Sequence, residues 1–264
     1  MSKKVGLALG AGGSRGVCHI GVLKALEEEG IKPDFICGCS MGAVVGACYS
    51  KGMSVDKMMN AVLKLKAVKL VDLNAAPISK LSFLRGRKMQ KLLLSHIGDI
   101  TFDRLDIPFA CVASDIYTGK SVTFKEGKVI DAVRASSSIP VVFPPVKIGE
   151  HLLVDGGVLC RVPTVQTKEM GADVVIAVDA LTNTKESVTG VKNVFNLVTR
   201  IFDVMDNNGS EMKKKIVGQD KEIWIEPEMK GLNQYEVKNF EKAFEEGYSA
   251  AKEKIQDIKK LIEQ

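Results

Sequence analysis

A serine between glycines is the sharpest chemical signal in this sequence. Gly38-Cys39-Ser40-Met41-Gly42 is a G-x-S-x-G pattern between a short apolar run and a run of small residues. Where a strand turns sharply into a helix, such a serine is strained and its oxygen projects at the helix N-terminus, where partial positive charge stabilises an oxyanion. We predict Ser40 as a nucleophile, with Gly38 and Gly42 supporting the turn. The alternative is a glycine-rich turn that contains a serine by chance.

The three histidines are poor candidates for the base that such a serine needs. His19 lies in a predicted helix and His96 ends an apolar helical run, so each is expected to be a structural or surface residue. A Ser, Asp or Glu, His order would require a late histidine, and none follows His151. His151 precedes Asp155 by four residues, which is about 13 Å along a strand. A histidine triad is therefore disfavoured.

An aspartate at the end of a predicted strand is the better base. Asp155-Gly156-Gly157 follows an apolar run, and the two glycines remove side chains next to the carboxylate. We predict Asp155 as the proton acceptor, with Gly156 and Gly157 supporting it. An ordinary Asp-Gly turn remains an equal alternative on this motif alone.

A glycine-rich loop follows the first predicted strand and reads Gly10-Ala11-Gly12-Gly13-Ser14-Arg15-Gly16. Dinucleotide and P-loop patterns fit it poorly, because Arg15 would replace the last glycine and no G-K-[ST] follows. Consecutive amides beside an elbow serine suit an oxyanion hole. We predict Gly12, Gly13 and Ser14 as its donors, with Arg15 adding charge or pinning the loop. The alternative is a tight turn with a solvated arginine.

The elements that must position these residues alternate between strands and helices. Val5–Leu9, a helix over Val17–Glu29, Phe35–Cys37 and a helix over Ala43–Lys51 form a βαβα unit, which predicts a parallel sheet in an α/β fold. Residues 54–106 are predicted to be mostly helical. The remaining predicted strands are Pro108–Ala113, Val122–Phe124, Leu152–Val154, Val174–Val178 and Ile223–Ile225, and the remaining helices are Val129–Ser136, Val191–Met205 and Tyr235–Ile262.

Composition bounds the partners of the chain. The six cysteines show no paired spacing, so neither a metal site nor a disulfide framework is expected, and no cofactor is indicated. A net charge of +5 with interspersed acids gives no nucleic-acid footprint but leaves a weak attraction to anionic membranes open. The N-terminus lacks a signal-peptide pattern, and no apolar run approaches the roughly 20 residues that span a bilayer. We expect a cytoplasmic protein whose membrane contact, if any, is peripheral.

One amphipathic segment could supply such a contact. Lysines alternate with apolar residues from Val62 to Val71, as on a membrane surface, although a segment that covers the core with its lysines in water is the favoured interpretation.

Three motifs together resemble those of the patatin-like phospholipase family. They are the Gly10–Gly16 loop, the Gly38–Gly42 elbow and the Asp155-Gly156-Gly157 strand end, in this order and rough spacing, and Ser136–Pro140 also looks similar. The resemblance spans about residues 5–170. It implies a three-layer α/β/α fold, a Ser40–Asp155 dyad, an oxyanion hole in the glycine loop, and hydrolysis of acyl esters of phospholipids, lysophospholipids or glycerides. Ala11 departs from the glycine run that is frequent in the family.

The resemblance also sets the expected domain organisation and its rivals. We expect residues 1–264 to form one α/β domain, with residues 5–170 as the catalytic core and residues 171–264 completing the sheet and adding helices. An acyltransferase of related architecture would need a catalytic histidine, usually one beside the serine, where this chain has Cys39. A non-catalytic lipid-binding or regulatory protein of the same fold is the rival from another class.

Overall fold

The computed structural model describes residues 3–67, 87–182, 197, 200, 201, 204, 205, 221–234, 236 and 238–264. The strands are β1 (Val5–Leu9), β2 (Phe35–Cys39), β3 (Phe109–Asp115), β4 (Lys120–Phe124), β5 (Val146–Ile148), β6 (His151–Asp155), β7 (Val174–Val178) and β8 (Glu222–Ile225). The α-helices are α1 (Cys18–Glu28), α2 (Met41–Ser50), α3 (Val55–Ala67), α4 (Arg87–Ile97), α5 (Val129–Ser136), α6 (Thr164–Glu169) and α7 (Phe240–Glu263). Short 3-10 turns cover Gly13–Val17, Phe102–Arg104 and Gly156–Val158.

One mainly parallel sheet joins all of these strands, as the βαβα pattern predicts. Its order is β5-β6-β3-β2-β1-β7-β8, with β4 paired to β3 off this path. The pairs β1–β2, β1–β7, β2–β3 and β7–β8 are parallel, whereas β3–β4, β3–β6 and β5–β6 are antiparallel. Strands β7 and β8, which follow residue 170, therefore extend the same sheet as β1.

Helices cover the two faces of the sheet unequally. On one face, large apolar side chains such as Leu7, Leu9 and Ile36 pack in one cluster with residues of α1–α5 and α7. On the other face the strands present small side chains such as Ala8 and Cys37, and the short helix α6 lies there. All six cysteines are buried and unbridged, so they serve as small core residues.

The register at β3 brings the two predicted catalytic residues together. Cys39 at the end of β2 pairs with Val112 of β3, and Asp155 at the end of β6 pairs with the next residue, Ala113. Because β4 occupies the opposite edge of β3, β6 continues the line of β2 along the same edge. The chain therefore leaves β2 at Ser40 directly beside the end of β6.

Element boundaries differ from the predicted ones in a few places. Helix α2 begins at Met41 rather than Ala43, so Ser40 alone makes the turn, and α7 begins at Phe240 after Asn239, whose φ is 58°. Strand β5 was not predicted. The predicted helix 191–205 lies mostly outside the described residues, and the lysine-containing segment is described only as far as residue 67. None of the described helices is both long and apolar enough to cross a membrane.

Candidate active site

The turn between β2 and α2 holds Ser40 in a strained backbone conformation. Its φ is 53° and its ψ is −120°, a region that costs a non-glycine residue of the order of 1–3 kcal/mol. A Cβ on Gly42 would lie 2.2 Å from the carbonyl oxygen of Leu9, and one on Gly38 would lie 2.5 Å from the Cα of Ala43. The turn therefore requires glycine at both flanking positions, as the sequence analysis predicts.

Ser40 and Asp155 form a direct hydrogen bond in a nearly closed environment. Ser40 Oγ donates to Asp155 Oδ2 at 2.5 Å, and the Gly157 amide donates to Asp155 Oδ1 at 2.8 Å. Each of the two catalytic candidates is only 5% exposed. Burial raises the pKa of Asp155 to about 6, while the hydrogen bonds from Ser40 and Gly157 oppose this rise. A Cβ on Gly156 would lie 2.4 Å from the carbonyl oxygen of Val112, so that glycine is required by packing against β3.

Three consecutive serines at the C-terminal end of α5, Ser136, Ser137 and Ser138, hold Ser40 and Asp155 in place. The Ser40 amide donates to Ser136 Oγ at 2.9 Å, and Ser137 Oγ donates to the Ser40 carbonyl at 3.3 Å. The Asp155 amide donates to the carbonyl of Ser138 at 2.8 Å. No positioning role was predicted for these serines, although a run of three hydroxyl residues at a helix end is a visible signal in the sequence.

The glycine loop is held by the backbone carbonyls of residues 232–234, which lie between β8 and α7. The Ser14 amide donates to the Gln234 carbonyl at 2.9 Å, and Ser14 Oγ donates to the Asn233 carbonyl at 2.9 Å. Buried Arg15 donates to the Leu232 carbonyl through Nε at 2.9 Å and Nη2 at 2.5 Å. The prediction of Ser14 as an oxyanion donor is therefore wrong for this structure, because its amide proton is already used. Arg15 pins the loop, and the solvated alternative is wrong.

The amides of Gly12 and Gly13 remain the predicted oxyanion donors. Neither donates a hydrogen bond to another group among the described residues. Gly13 has a φ of +51°, and a Cβ there would lie 2.3 Å from the Gln234 carbonyl oxygen. Glycine is thus needed where the loop meets its clamp.

Two buried side chains fix the start of the loop: His19, which was expected to be a structural or surface residue, and Arg161, for which no role was predicted. His19 Nε2 lies 2.8 Å from the Gly10 carbonyl, which only accepts, so Nε2 carries the proton. Burial lowers the pKa of His19 to about 4, so its ring is neutral at pH 7. On the other side, the Ala11 amide donates to the Arg161 carbonyl, and the Arg161 guanidinium binds Asp179 Oδ1 at 2.7–2.8 Å. The Ala11 hydrogen bond therefore links the loop to the segment that follows Asp155, and the buried ion pair joins that segment to Asp179 just after β7.

The other two histidines are placed away from the dyad hydrogen bond. His151 Nδ1 lies 3.0 Å from Asp115 Oδ2. The hydrogen bond from His151 holds the pKa of Asp115 well below its usual range, although burial opposes this. His96 lines the cavity described next. The bond partner that the structure gives Ser40 Oγ is Asp155.

An apolar cavity adjoins Ser40 on the face of the sheet that carries the large apolar side chains, between the helices that cover that face. It encloses about 1050 Å³ when the open solvent at its mouth is included. Within the described residues no cluster of His, Cys, Asp and Glu could hold a metal ion. The lining is dominated by aliphatic and methionine side chains, with few polar groups, and includes Val17, Ile20, Ser40, Met41, Val44, Val45, Met53, Met58, Val62, Leu93, His96, Ser137, Ile139 and Phe240.

The sheet is mainly parallel, and a serine on a strand-to-helix turn donates a hydrogen bond to a buried aspartate. These features place the chain in the class of α/β proteins that carry a Ser-Asp pair. Comparison with known families agrees with this class. The family model described as patatin-like phospholipase matches residues 7–167. This match covers more than half of the chain, and the chain belongs to the patatin-like phospholipase family.

Relatives and solved structures extend the comparison. An uncharacterized NTE family protein of Mycobacterium bovis is 39% identical over 177 residues, 67% of this chain and 49% of that protein. The lysophospholipase nte1 of Emericella nidulans is 28% identical over 97% of this chain and 18% of its own length. This chain therefore spans about half or less of these relatives. VipD from Legionella pneumophila (TM-score 0.51, 97% of this chain and 67% of that chain) and the ExoU–SpcU complex of Pseudomonas aeruginosa (0.53, 100% and 52%) share the fold at 14% identity.

Proposed function

We propose that this chain is a serine hydrolase that cleaves acyl esters of lipids. The observation that carries the proposal is the 2.5 Å hydrogen bond from Ser40 Oγ to Asp155 at one end of an apolar cavity. The cavity suits an acyl chain, since ligand sites are mostly apolar with a few placed polar groups. Membership in the patatin-like phospholipase family supports a lipid ester as the substrate class.

In the first half of the reaction, Ser40 Oγ bonds to the ester carbonyl carbon and its proton passes to Asp155 Oδ2. The carbonyl oxygen becomes an oxyanion, for which the Gly12 and Gly13 amides and the N-terminus of α2 are the proposed donors. Collapse of this intermediate breaks the bond to the leaving alcohol. Asp155 returns its proton to the alcohol oxygen.

In the second half, water attacks the acyl-Ser40 ester and Asp155 accepts a proton from that water. Collapse releases the fatty acid, and the proton returns from Asp155 to Ser40 Oγ. The raised pKa of Asp155, about 6, makes it a stronger base than a free aspartate while it stays mostly ionised at pH 7.

The proposed substrate is a phospholipid, and its acyl ester is the bond that is cleaved. A lysophospholipid, which carries a single acyl chain, is the first substrate to test. The similarity to the lysophospholipase nte1 of Emericella nidulans supports this choice. Such substrates lie in membranes or micelles, so a peripheral contact with a lipid surface is part of the proposal. The cytoplasmic location stays a prediction.

The experiment is intact-mass analysis after reaction with a fluorophosphonate, followed by fatty-acid release from lysophosphatidylcholine. Wild type should gain one adduct and release fatty acid, whereas Ser40→Ala and Asp155→Asn should do neither. The matched controls are Ser121→Ala and Asp131→Asn, which change exposed residues on β4 and α5 and should behave as wild type.

Two outcomes would overturn the proposal. A folded wild type that gains no adduct and releases no fatty acid would leave only a lipid-binding role. Labelling and hydrolysis by Asp155→Asn at the wild-type rate would remove Asp155 as the base.

A further inference from the structure

The turn between β3 and β4 exposes two large apolar side chains next to each other. Ile116 is 52% exposed and Tyr117 is 67% exposed. Scattered single apolar side chains are normal on protein surfaces. Two adjacent ones at the tip of a turn are a candidate contact with something apolar outside the chain.

Hydrogen bonds to one carboxylate, that of Asp115, hold this turn in place. Asp115 Oδ1 accepts from the amides of Tyr117 and Leu152, at 3.2 and 3.1 Å. Asp115 Oδ2 accepts from Thr118 Oγ1 at 2.7 Å and contacts His151 Nδ1 at 3.0 Å. The two apolar side chains are therefore presented by an ordered backbone, which lowers the entropic cost of binding through them.

The turn lies at the same end of the sheet as Ser40, where the parallel strands β2 and β3 both end. Strands β2 and β3 are parallel, so the Ser40 turn and the end of β3 lie at the same edge. Ala113 pairs with Asp155, and Ile116 follows Ala113 by three residues, which is about 10 Å along the strand direction. The exposed tip therefore lies beyond the level of Ser40 and Asp155, at the C-terminal end of β3.

The surroundings of the turn fit a lipid surface. Exposed Lys120 on β4 pairs with Asp115 at the base of the turn, and exposed Lys147 lies on β5, two strands from β3, with Glu150 as the exposed acid of the β5–β6 turn. Tyrosine is favoured where apolar and aqueous phases meet, and lysines near a bilayer are attracted to anionic headgroups. An apolar tip flanked by lysines matches both parts of such a surface.

We propose that the Ile116–Tyr117 turn inserts into the surface of an anionic lipid bilayer or micelle and brings Ser40 to its ester substrates. This inference rests on the proposed function for its purpose. The insertion itself can be measured without catalysis. A protein partner is the competing occupant of the turn.

The test uses fluorescence from a tryptophan placed at the tip. The chain contains a single tryptophan, Trp224, so the background is Trp224→Phe with Ser40→Ala, which prevents lipid hydrolysis. Tyr117→Trp is compared with Lys32→Trp, an exposed position in the loop before β2 at the opposite edge of the sheet. Each is mixed with phosphatidylcholine–phosphatidylglycerol vesicles that carry bromine on their acyl chains.

Insertion predicts that brominated chains quench the tryptophan at position 117 and leave the one at position 32 unquenched. Equal quenching at both positions, or quenching at neither, would overturn the proposal. Ile116→Ser with Tyr117→Ser should also weaken vesicle co-sedimentation by about tenfold or more, because two apolar side chains no longer leave water. Unchanged co-sedimentation would overturn it as well, and would favour a protein partner for the turn.

A soluble fluorophosphonate separates this inference from the proposed function. In the otherwise wild-type chain, Ile116→Ser with Tyr117→Ser should leave the labelling rate of Ser40 unchanged, because the turn touches neither catalytic residue. Normal labelling without insertion would refute the membrane contact alone. Insertion without any labelling would refute the hydrolase alone.

Discussion

At the residue scale, the site depends on an aspartate that the protein has buried. A free aspartate has a pKa of about 3.9, which makes it a weak base at neutral pH. In this chain burial raises the pKa of Asp155 to about 6, while Ser40 and Gly157 supply hydrogen bonds that keep the ionised form attainable. The same burial that would strengthen the proposed base lowers the stability of the fold as the pH rises toward that pKa, so the proposed function and stability oppose each other at this residue.

The pH dependence of Ser40 reactivity should report Asp155. Asp155 accepts the serine proton only when ionised, so the rate of fluorophosphonate labelling should fall as the pH drops through about 6. The measurement is the labelling rate from pH 4.5 to 8 on folded protein, with ~tenfold loss for each unit well below the pKa. His19, with a pKa of about 4, titrates too low to produce this midpoint. A rate that stays constant across this range would contradict Asp155 as the base.

Removing the charge of Asp155 should stabilise the folded chain at high pH. The raised pKa means that the unfolded chain loses this proton between about pH 4 and 6 while the folded chain keeps it, so stability falls across that window and stays lower above it. Asp155→Asn should therefore raise the free energy of unfolding by on the order of 2 kcal/mol at pH 8 and by little at pH 4. Urea unfolding at both pH values measures this. Asp131→Asn, on the exposed face of α5, is the control and should show no such difference.

At the element scale, local sequence patterns predicted most of the individual strands and helices and the turn at Ser40. The G-x-S-x-G pattern is local and predicted the turn at Ser40. Gly38 is required by its close approach to Ala43, and Gly42 by its close approach to Leu9 of the neighbouring strand. The apolar runs predicted β1, α5 and β7 to the residue. Local sequence was therefore enough to predict the strained turn at Ser40 and most of the sheet.

The pairing of Ser40 with Asp155 was predicted, but the contacts that hold the two residues in place were not, because they depend on the register between distant strands. The hydrogen bond between the Ser40 amide and Ser136 Oγ joins residues 96 positions apart. Asp155 meets Ser40 only because β6 continues the line of β2 along β3. Strand β5 escaped prediction because three residues carry too little periodicity.

The loop between α5 and β5 holds a residue whose replacement should stabilise the chain. Val141 has a φ of 69°, which a β-branched residue adopts at a cost of about 1–2 kcal/mol. Val141→Gly should remove that strain and raise the free energy of unfolding by up to about 1 kcal/mol, after the loss of its partly buried side chain and the added entropy of glycine. Thermal and urea unfolding measure the change.

Val142→Gly is the matched control for this prediction. Its backbone is not in the positive-φ region, so glycine there relieves no strain and should lower stability. Equal destabilisation by both variants would show that the conformation of Val141 costs nothing.

At the scale of the whole molecule, the Gly10–Gly16 loop is held by a part of the chain that the family model does not reach. That match ends at residue 167, yet the carbonyls of residues 232–234 accept four hydrogen bonds from Ser14 and Arg15. Phe240, a few residues later, lines the cavity that opens from Ser40. Residues 232–234 and the start of α7 therefore contact both the proposed oxyanion loop and the apolar cavity, which local motifs alone did not predict.

Breaking this clamp should lower reactivity more than an equal change elsewhere. Arg15→Met leaves the buried Leu232 carbonyl without its two guanidinium donors and frees the loop to move. A cost of about 1–3 kcal/mol would lower the labelling rate by roughly 5- to 150-fold. Arg104→Met, which removes the same charge from the surface, should label at the wild-type rate. Both rates are measured well below the unfolding transition of each variant. If Arg15→Met lowered only the melting temperature and labelled normally, the clamp would hold the fold together without positioning the oxyanion loop.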